Sequence, residues 1–472
     1  MSSSEAMQGG ISSEDRIPMP SVSLRELTKE ARESFQHAWP LVLGNLGQNM
    51  LGVVDTAMVG RLGAVDLAGV AIGNGLYWTF AVTAMGLLGG LDPIVSQAIG
   101  AKEGRRAEAG LRLGFRLALL IAGPALLVIV ATPLLLPLFG VSQGISRVAT
   151  HFMWARALGV IPFIVHVPIR SMLQARGVTK PMLTSSIVAN VVNLIGNVLL
   201  IYGDKSLVEI GLPGVGLPAL GAIGSGIASN LAVVAQLLVL YRALRSLPPL
   251  AGEGDTNVPA KKVISLGWPI SLTFLAELGA FTIAGIAAGR IGAEAGSGHQ
   301  VAIQLASVTF TVSMAIATAT GVRVGYAVGK RDMHAMRIAG WMGFGLSAAY
   351  MTVTSLVFLL FAEPLARIMT DRSEVIVVTV PLIHIAAAFQ LFDGMQVVGA
   401  GTLRGLGDTR TTQIANLVGY YVVGVPVAWV LAFGLEMGAR GLWWGLCAGL
   451  GTVALTLLVR WARLSRTEVA RT

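Results

Sequence analysis

Four carboxylates stand inside stretches otherwise too apolar to hold a charge: Asp55, Asp92, Glu277 and Asp393. An ionised side chain at bilayer depth costs at least about 2.5 kcal/mol, so each needs a cavity, a partner or a proton. An acid that can take a proton, a metal cation or an organic cation in turn is the minimal device for exchange. Glu277 lies about twelve residues from either end of its apolar stretch, near the bilayer midplane by helical rise, and Asp393 sits well inside another. Asp55 stands near the far end of the first stretch, and Asp92 precedes Pro93 in a long second one. In the same half as Asp55, Asn190, Asn193 and Asn197 recur at i, i+3 and i+7 on one helical face, and Ser229 follows in the next stretch. That face suits a polar site or interhelical hydrogen bonding equally well.

The elements that position these residues follow from composition. Of 472 residues 54% are hydrophobic and 12% charged, with a mean hydropathy of +0.72. A soluble domain carries charge on roughly a quarter of its residues, so lipid must be the solvent. The 58 glycines suit close helix packing in a membrane. The single cysteine, Cys447, excludes a disulfide framework and a multi-cysteine metal site. The sequence has no clustered histidine ligands, nucleophile–base pairing or glycine-rich phosphate loop, which argues against an enzyme and a resident cofactor. The net charge of +9 comes from basic residues scattered through short loops, not gathered on one face, and so does not point to nucleic acid.

A spanning helix needs roughly 20 apolar residues, and the expected fold is an all-α integral membrane protein of about twelve transmembrane helices in two six-helix pseudo-symmetric lobes. Spans are expected over 37–60, 67–98, 111–138, 150–173, 181–203 and 213–243, then 263–289, 296–328, 337–362, 375–401, 413–436 and 440–463. The second and eighth are overlong, which predicts tilt or a broken turn. The division is a polar N-terminal tail (1–36), a first lobe (37–244), a connector (245–262), a second lobe (263–463) and a C-terminal tail (464–472). Residues 1–36 lack the pattern of a cleavable signal, and Arg25 to Phe35 suit a short amphipathic lead-in helix. Lys and Arg concentrate after spans two, four, eight and ten, around the connector and at the C-terminus. The positive-inside rule then places both termini and the connector in the cytoplasm.

An internal repeat runs through the chain. Trp39-Pro40 returns as Trp268-Pro269, and Gly60-Arg61-Leu62-Gly63-Ala64 as Gly289-Arg290-Ile291-Gly292-Ala293 at the same spacing. Each half holds an even number of spans, so the halves are parallel and the expected pathway lies between them. The scaffold repeats but the acids do not. Glu277 corresponds to Gln48, Asp55 to Ala284, Asp393 to Phe163 or Ile164, and Asp92 to Gly321 or Val322. Acids needed only for folding could well have recurred in both halves.

The run from Leu51 through Asp55 to Gly60 resembles the multidrug and toxic compound extrusion (MATE) family, as does the run from Leu91-Asp92-Pro93 to Gly100-Ala101. Arg323-Val324-Gly325, Leu403-Arg404-Gly405 and Gly407-Asp408-Thr409 carry the same resemblance, which covers residues 37–463. Glu277 after Pro269, and Asp393 before Gln396, resemble the NorM-like branch. The resemblance implies antiport of small organic, often cationic, compounds against Na⁺ or H⁺ by a monomer in the inner cell membrane. It assigns Glu277 and Asp393 to a cation site that takes Na⁺ or a proton, and Asp55 with Asn193 and Asn197 to a site in the first lobe. Phe389 stands where relatives often carry Tyr, which removes a hydroxyl from the cation site. His299-Gln300 resembles a family element at the start of span eight, although His299, like His166 and His384, suits packing better than proton carriage. The same architecture also serves flippases of lipid-linked precursors. Their anionic headgroups call for Arg or Lys at mid-span, where this chain has acids.

Overall fold

The computed structural model describes residues 24–204, 208, 213–214 and 216–472, with side chains from residue 38 onward. Among these the structure is helical, with ten helices long and apolar enough to cross a membrane and an eleventh crossing made by a bent pair. The first-half helices are α1 (Leu24–Gly60), α2 (Ala64–Leu88), α3 (Leu91–Gly100), α4 (Gly104–Ala131), α5 (Gln143–Ala157), α6 (Val160–Ala175), α7 (Lys180–Tyr202) and α8 (Ala222–Arg245). The second half comprises α9 (Ala260–Ile291), α10 (Ala293–Lys330), α11 (Met333–Leu360), a short α12 (Ala362–Met369), α13 (Ser373–Leu406), α14 (Thr409–Leu417), α15 (Val425–Trp429) and α16 (Ala439–Leu464).

Several boundaries differ from expectation. The expected lead-in helix is continuous with the first span in α1. That helix, interrupted by Asn45, Gln48, Asn49 and Asp55, is not among the apolar crossings. The second span breaks at Gly89–Gly90 between α2 and α3, as its length predicts, whereas the overlong eighth is one unbroken helix of 38 residues. At 1.5 Å per residue α10 is about 57 Å long, so it must tilt or project beyond a core of about 30 Å. The fourth span is α5 and α6, bent by 46° around Leu158–Gly159. The sixth starts at Ala222 and not 213, because Pro213, Pro218 and the left-handed Gly216 and Gly221 hold the preceding segment out of a helix. Lys205, in the loop expected between the fifth and sixth spans, lies outside the described residues. The eleventh span runs from α14 through wide π turns at Val418–Gly424 and Val430–Gly434, with α15 between them.

The two halves of the chain meet where α3 packs on α10, α2 on α9, and α1 on α10. Glycine makes these contacts close. A Cβ added at Gly267 would lie 1.8 Å from the Leu87 carbonyl oxygen, and one at Gly329 would lie 2.0 Å from that of Gln97. Gln97 Nε2 also donates to the Gly405 carbonyl across the seam (3.0 Å). These contacts lie at the end of the bundle where α1 starts and α16 stops. The C-terminal segment, expected as a tail, returns to the same seam. Arg471 pairs with Glu103 (2.9 Å), and the Thr472 backbone N–H donates to Gln97 Oε1 (2.7 Å).

Candidate functional site

Away from the seam, toward the turn between α9 and α10, a cavity of about 480 Å³ opens in the second half. Glu277 of α9 and Asp393 of α13 both line it. Most of the remaining wall is apolar: Phe274, Phe281, Phe310 and Phe389, with Val82 of α2 from the first half. Among the described residues neither acid forms a salt bridge. Asp393 is only 4% exposed. Gln396, one turn beyond it, lies beside Glu277, donates to Asn416 Oδ1 (3.2 Å) and leaves its own Oε1 without a partner.

Phe389 presents no oxygen here. Its ring is buried against Phe281 (6.0 Å between centroids) and Trp443 (5.5 Å). A hydroxyl comes instead from Tyr420, which the sequence reading passed over. Tyr420 sits in the first π turn, within electrostatic range of both Glu277 and Asp393, with its ring 6.2 Å from Phe281. Its Oη is buried without a hydrogen-bond partner. The next residue, Tyr421, donates to the Ala276 carbonyl (3.1 Å) and so ties the same turn to the backbone beside Glu277. Wide turns of this kind collect at functional sites. Two carboxyls, the Gln396 amide and the Tyr420 hydroxyl thus gather at this part of the cavity, all of them carrying hard oxygen atoms. Gln300 and His299 line the outer part of the cavity, and the His299 ring stands edge-on to Trp443 at 5.8 Å. His166 is bound to the Phe163 carbonyl, and His384 points outward from α13.

The second acidic site is built differently from expectation. Asp55 is 1% exposed and accepts from Asn193 Nδ2 (2.9 Å), Asn197 Nδ2 (2.7 Å) and Ser229 Oγ (2.6 Å), so three of the anticipated residues converge on it. Asn190 does not join them and bonds the Gly47 carbonyl instead (2.7 Å). The group the sequence reading missed is Arg156, whose Nη1 makes an ion pair with Asp55 Oδ2 at 3.3 Å. Arg156 is 5% exposed, and its guanidinium lies 4.5 Å from the centre of the Tyr77 ring. Asp55 is therefore not an acid awaiting a cation in this conformation; the chain supplies its own. The signal available was an arginine inside the expected 150–173 span, which also holds Arg170.

Asp92 and Gln48 join neither site. Asp92 accepts from Ser171 Oγ of α6 and lies in the field of Arg404, near Arg170, where α3, α6 and α13 approach. Gln48, the repeat counterpart of Glu277, accepts from Gln236 (3.0 Å) in an ordinary interhelical bond.

A bundle of membrane-crossing helices around an acid-lined, largely apolar cavity is the form of a transporter, and the comparisons with known proteins agree. The MatE family model matches residues 40–199 and again 269–430. The two matches start at the prolines of the repeated Trp-Pro pairs. The chain is 33% identical over 444 residues to the multidrug resistance protein NorM of Burkholderia vietnamiensis, covering 92% of this chain and 94% of that one. It is 34% identical over 463 residues to the probable multidrug resistance protein NorM of Deinococcus radiodurans, covering 96% and 99%. Its fold matches the eukaryotic MATE transporter AtDTX14 with a TM-score of 0.81 at 20% identity, covering 93% and 99%. It matches the Vibrio cholerae MATE transporter VcmN in the bent form with a TM-score of 0.79 at 19% identity, covering 94% and 98%. The chain belongs to the MatE family, whose members are membrane transporters and not enzymes.

Proposed function

We propose that this protein exports small organic cations, drugs or toxic metabolites among them, in exchange for Na⁺ or H⁺. The observation that carries the reading is that Glu277 and Asp393 line one aromatic-walled cavity and that, among the described residues, neither forms a salt bridge. A largely apolar cavity with two acids attracts a cation strongly, and its phenyl faces add cation–π attraction for an organic one. An anionic lipid-linked cargo would meet repulsion there, which disfavours the flippase reading. Binding of the coupling ion and of the cargo compete for the same carboxyls. Ion entry then releases cargo, because only differential affinity for two states can move their equilibrium. The Gln396 carbonyl and the Tyr420 hydroxyl complete a Na⁺ shell in this reading.

Residues 37–244 and 263–463 act as two lobes rocking about the glycine-lined seam, with residues 245–262 as the cytoplasmic connector. Both termini face the cytoplasm, the membrane is the inner cell membrane, and the working unit is a monomer. The loop cations and the repeat support this arrangement. Asp55, held by Arg156, serves the first lobe as a fixed structural charge, with coupling carried by the second. Transport of an organic cation in proteoliposomes with independently imposed Na⁺ and proton gradients tests the proposal. Uptake indifferent to both gradients would refute it.

A further inference from the structure

A second recess of about 460 Å³ lies on the outside of the bundle at the seam end, between the first turns of α9 and α14. Its lining from α9 is Lys261, Ile264, Ser265, Trp268 and Pro269, a spacing of i, i+3, i+4, i+7 and i+8 that puts all five on one helical face. From α14 it takes Arg410 and Gln413, again on one face. Two cations on neighbouring helices thus share one recess, and among the described residues neither is paired with a carboxylate. Asp408, the nearest acid in sequence to Arg410, is already held by Arg460 at 2.8 Å. The depth profile is as telling as the charge. Lys261 is the second residue of its helix, and Trp268 stands about 10 Å farther along it by helical rise. The indole is 55% exposed on the outer surface of the bundle. Cations at headgroup level with an indole one layer deeper match the order of charge and apolar matter in a bilayer interface.

We propose that this recess binds the phosphodiester headgroup of an anionic phospholipid, with Lys261 and Arg410 bridging the phosphate and Gln413 donating to a headgroup oxygen. Trp268 and Ile264 support the glycerol and the upper acyl chain. The bound lipid then bridges the starts of α9, which carries Glu277, and of α14, whose last residue leads directly into the π turn that carries Tyr420. A basic pocket between helices at the membrane surface has the chemistry for such a headgroup. The proposal stands independently of the transport reading, since its readout is binding.

The test is native mass spectrometry of the full-length protein titrated with phosphatidylglycerol, with phosphatidylcholine and with inorganic phosphate. Phosphatidylglycerol is expected to be retained in preference to phosphatidylcholine. Lys261→Gln and Arg410→Gln should each weaken that retention about fivefold, and the double variant more than either. Lys330→Gln, an exposed cation elsewhere at this end, should change nothing. Thermal unfolding of each variant confirms that it is folded. Equal retention of the two lipids, or parental phosphatidylglycerol binding by a folded double variant, would overturn the proposal. So would full displacement of the lipid by inorganic phosphate, which would reduce the recess to a simple anion site.

Discussion

Arg156 and Asp55 offer the sharpest test of how the first half holds its buried charge. Removing one member of a buried ion pair leaves the other uncompensated, at a cost of about 3–5 kcal/mol. In Arg156→Met the Asp55 carboxylate keeps three donors, Asn193, Asn197 and Ser229. Hydrogen bonds to a charged group are worth about 1.5–3 kcal/mol each, so the loss should fall near the lower bound, about 3 kcal/mol. In Asp55→Asn the guanidinium loses its anion but keeps the face of Tyr77 at 4.5 Å. A desolvated cation–π contact contributes about 2 kcal/mol, so this loss should also be about 3 kcal/mol. If the two residues acted independently, the double variant would lose about 6 kcal/mol. As a pair they leave no orphan charge when both go, and the double variant should be nearly as stable as either single one, a coupling of about 3 kcal/mol. Unfolding in detergent by denaturant and by heat, read as a double-mutant cycle, measures this. A coupling below about 0.5 kcal/mol would mean that the contact carries no energy and that Asp55 is held by its amides alone. A folded double variant that keeps gradient-driven efflux would in addition confine coupling to Glu277 and Asp393.

Other expectations follow from the cavity, the seam and the connector. Glu277→Gln and Asp393→Asn should each abolish gradient-driven efflux with expression and folding intact. Their combination should be little worse, since both serve one cycle; normal efflux from well-expressed Glu277→Gln protein would sink the coupling proposal. Tyr420→Phe removes a buried hydroxyl that has no partner, so stability should change by less than about 1 kcal/mol while the Na⁺ dependence of transport weakens. Phe389→Tyr should be tolerated and strengthen that dependence; equal Na⁺ response in all three proteins would remove Na⁺ from this site. Gly329→Ala places a methyl 2.0 Å from the Gln97 carbonyl oxygen and should wedge the seam. The expected loss is about 1–3 kcal/mol, with greater exposure to thiol reagents of a cysteine placed at Ser96; an unchanged melting point and unchanged labelling would contradict the close packing. For orientation, Glu253→Cys in a Cys447→Ser background should resist impermeant thiol reagents outside intact cells. The neighbouring Gly252 does not suit a cysteine, because its φ is +103° and an added Cβ would meet the Lys102 carbonyl.

Composition and residue type alone establish the solvent, the class and the acids. Fifty-four per cent apolar residues against twelve per cent charged leave no option but a membrane, and the cost of a lone charge in lipid marks Glu277 and Asp393 wherever their helices end up. The periodic asparagines of α7 fixed a polar face before any fold was known, and two of the three meet Asp55. Tertiary structure decided what each acid meets. Nothing local joins Arg156 to Asp55, separated by 101 residues, so whether that acid is vacant or neutralised depends on how α2 and α8 seat α5. Likewise Phe389 forfeits a hydroxyl at its own position, and only the π turn that brings Tyr420 beside the same acids restores one. Helix breaks divide the same way. The break at Gly89–Gly90 follows from the overlong second span, whereas Pro213 and Gly221, expected inside the sixth span, carry local backbone preferences that its hydropathy outweighed in the sequence reading. The 46° bend after Arg156 and the continuity of α10 are set by what these helices pack against. Residue type fixes what a side chain costs to bury, and only the fold supplies the partner that offsets the cost.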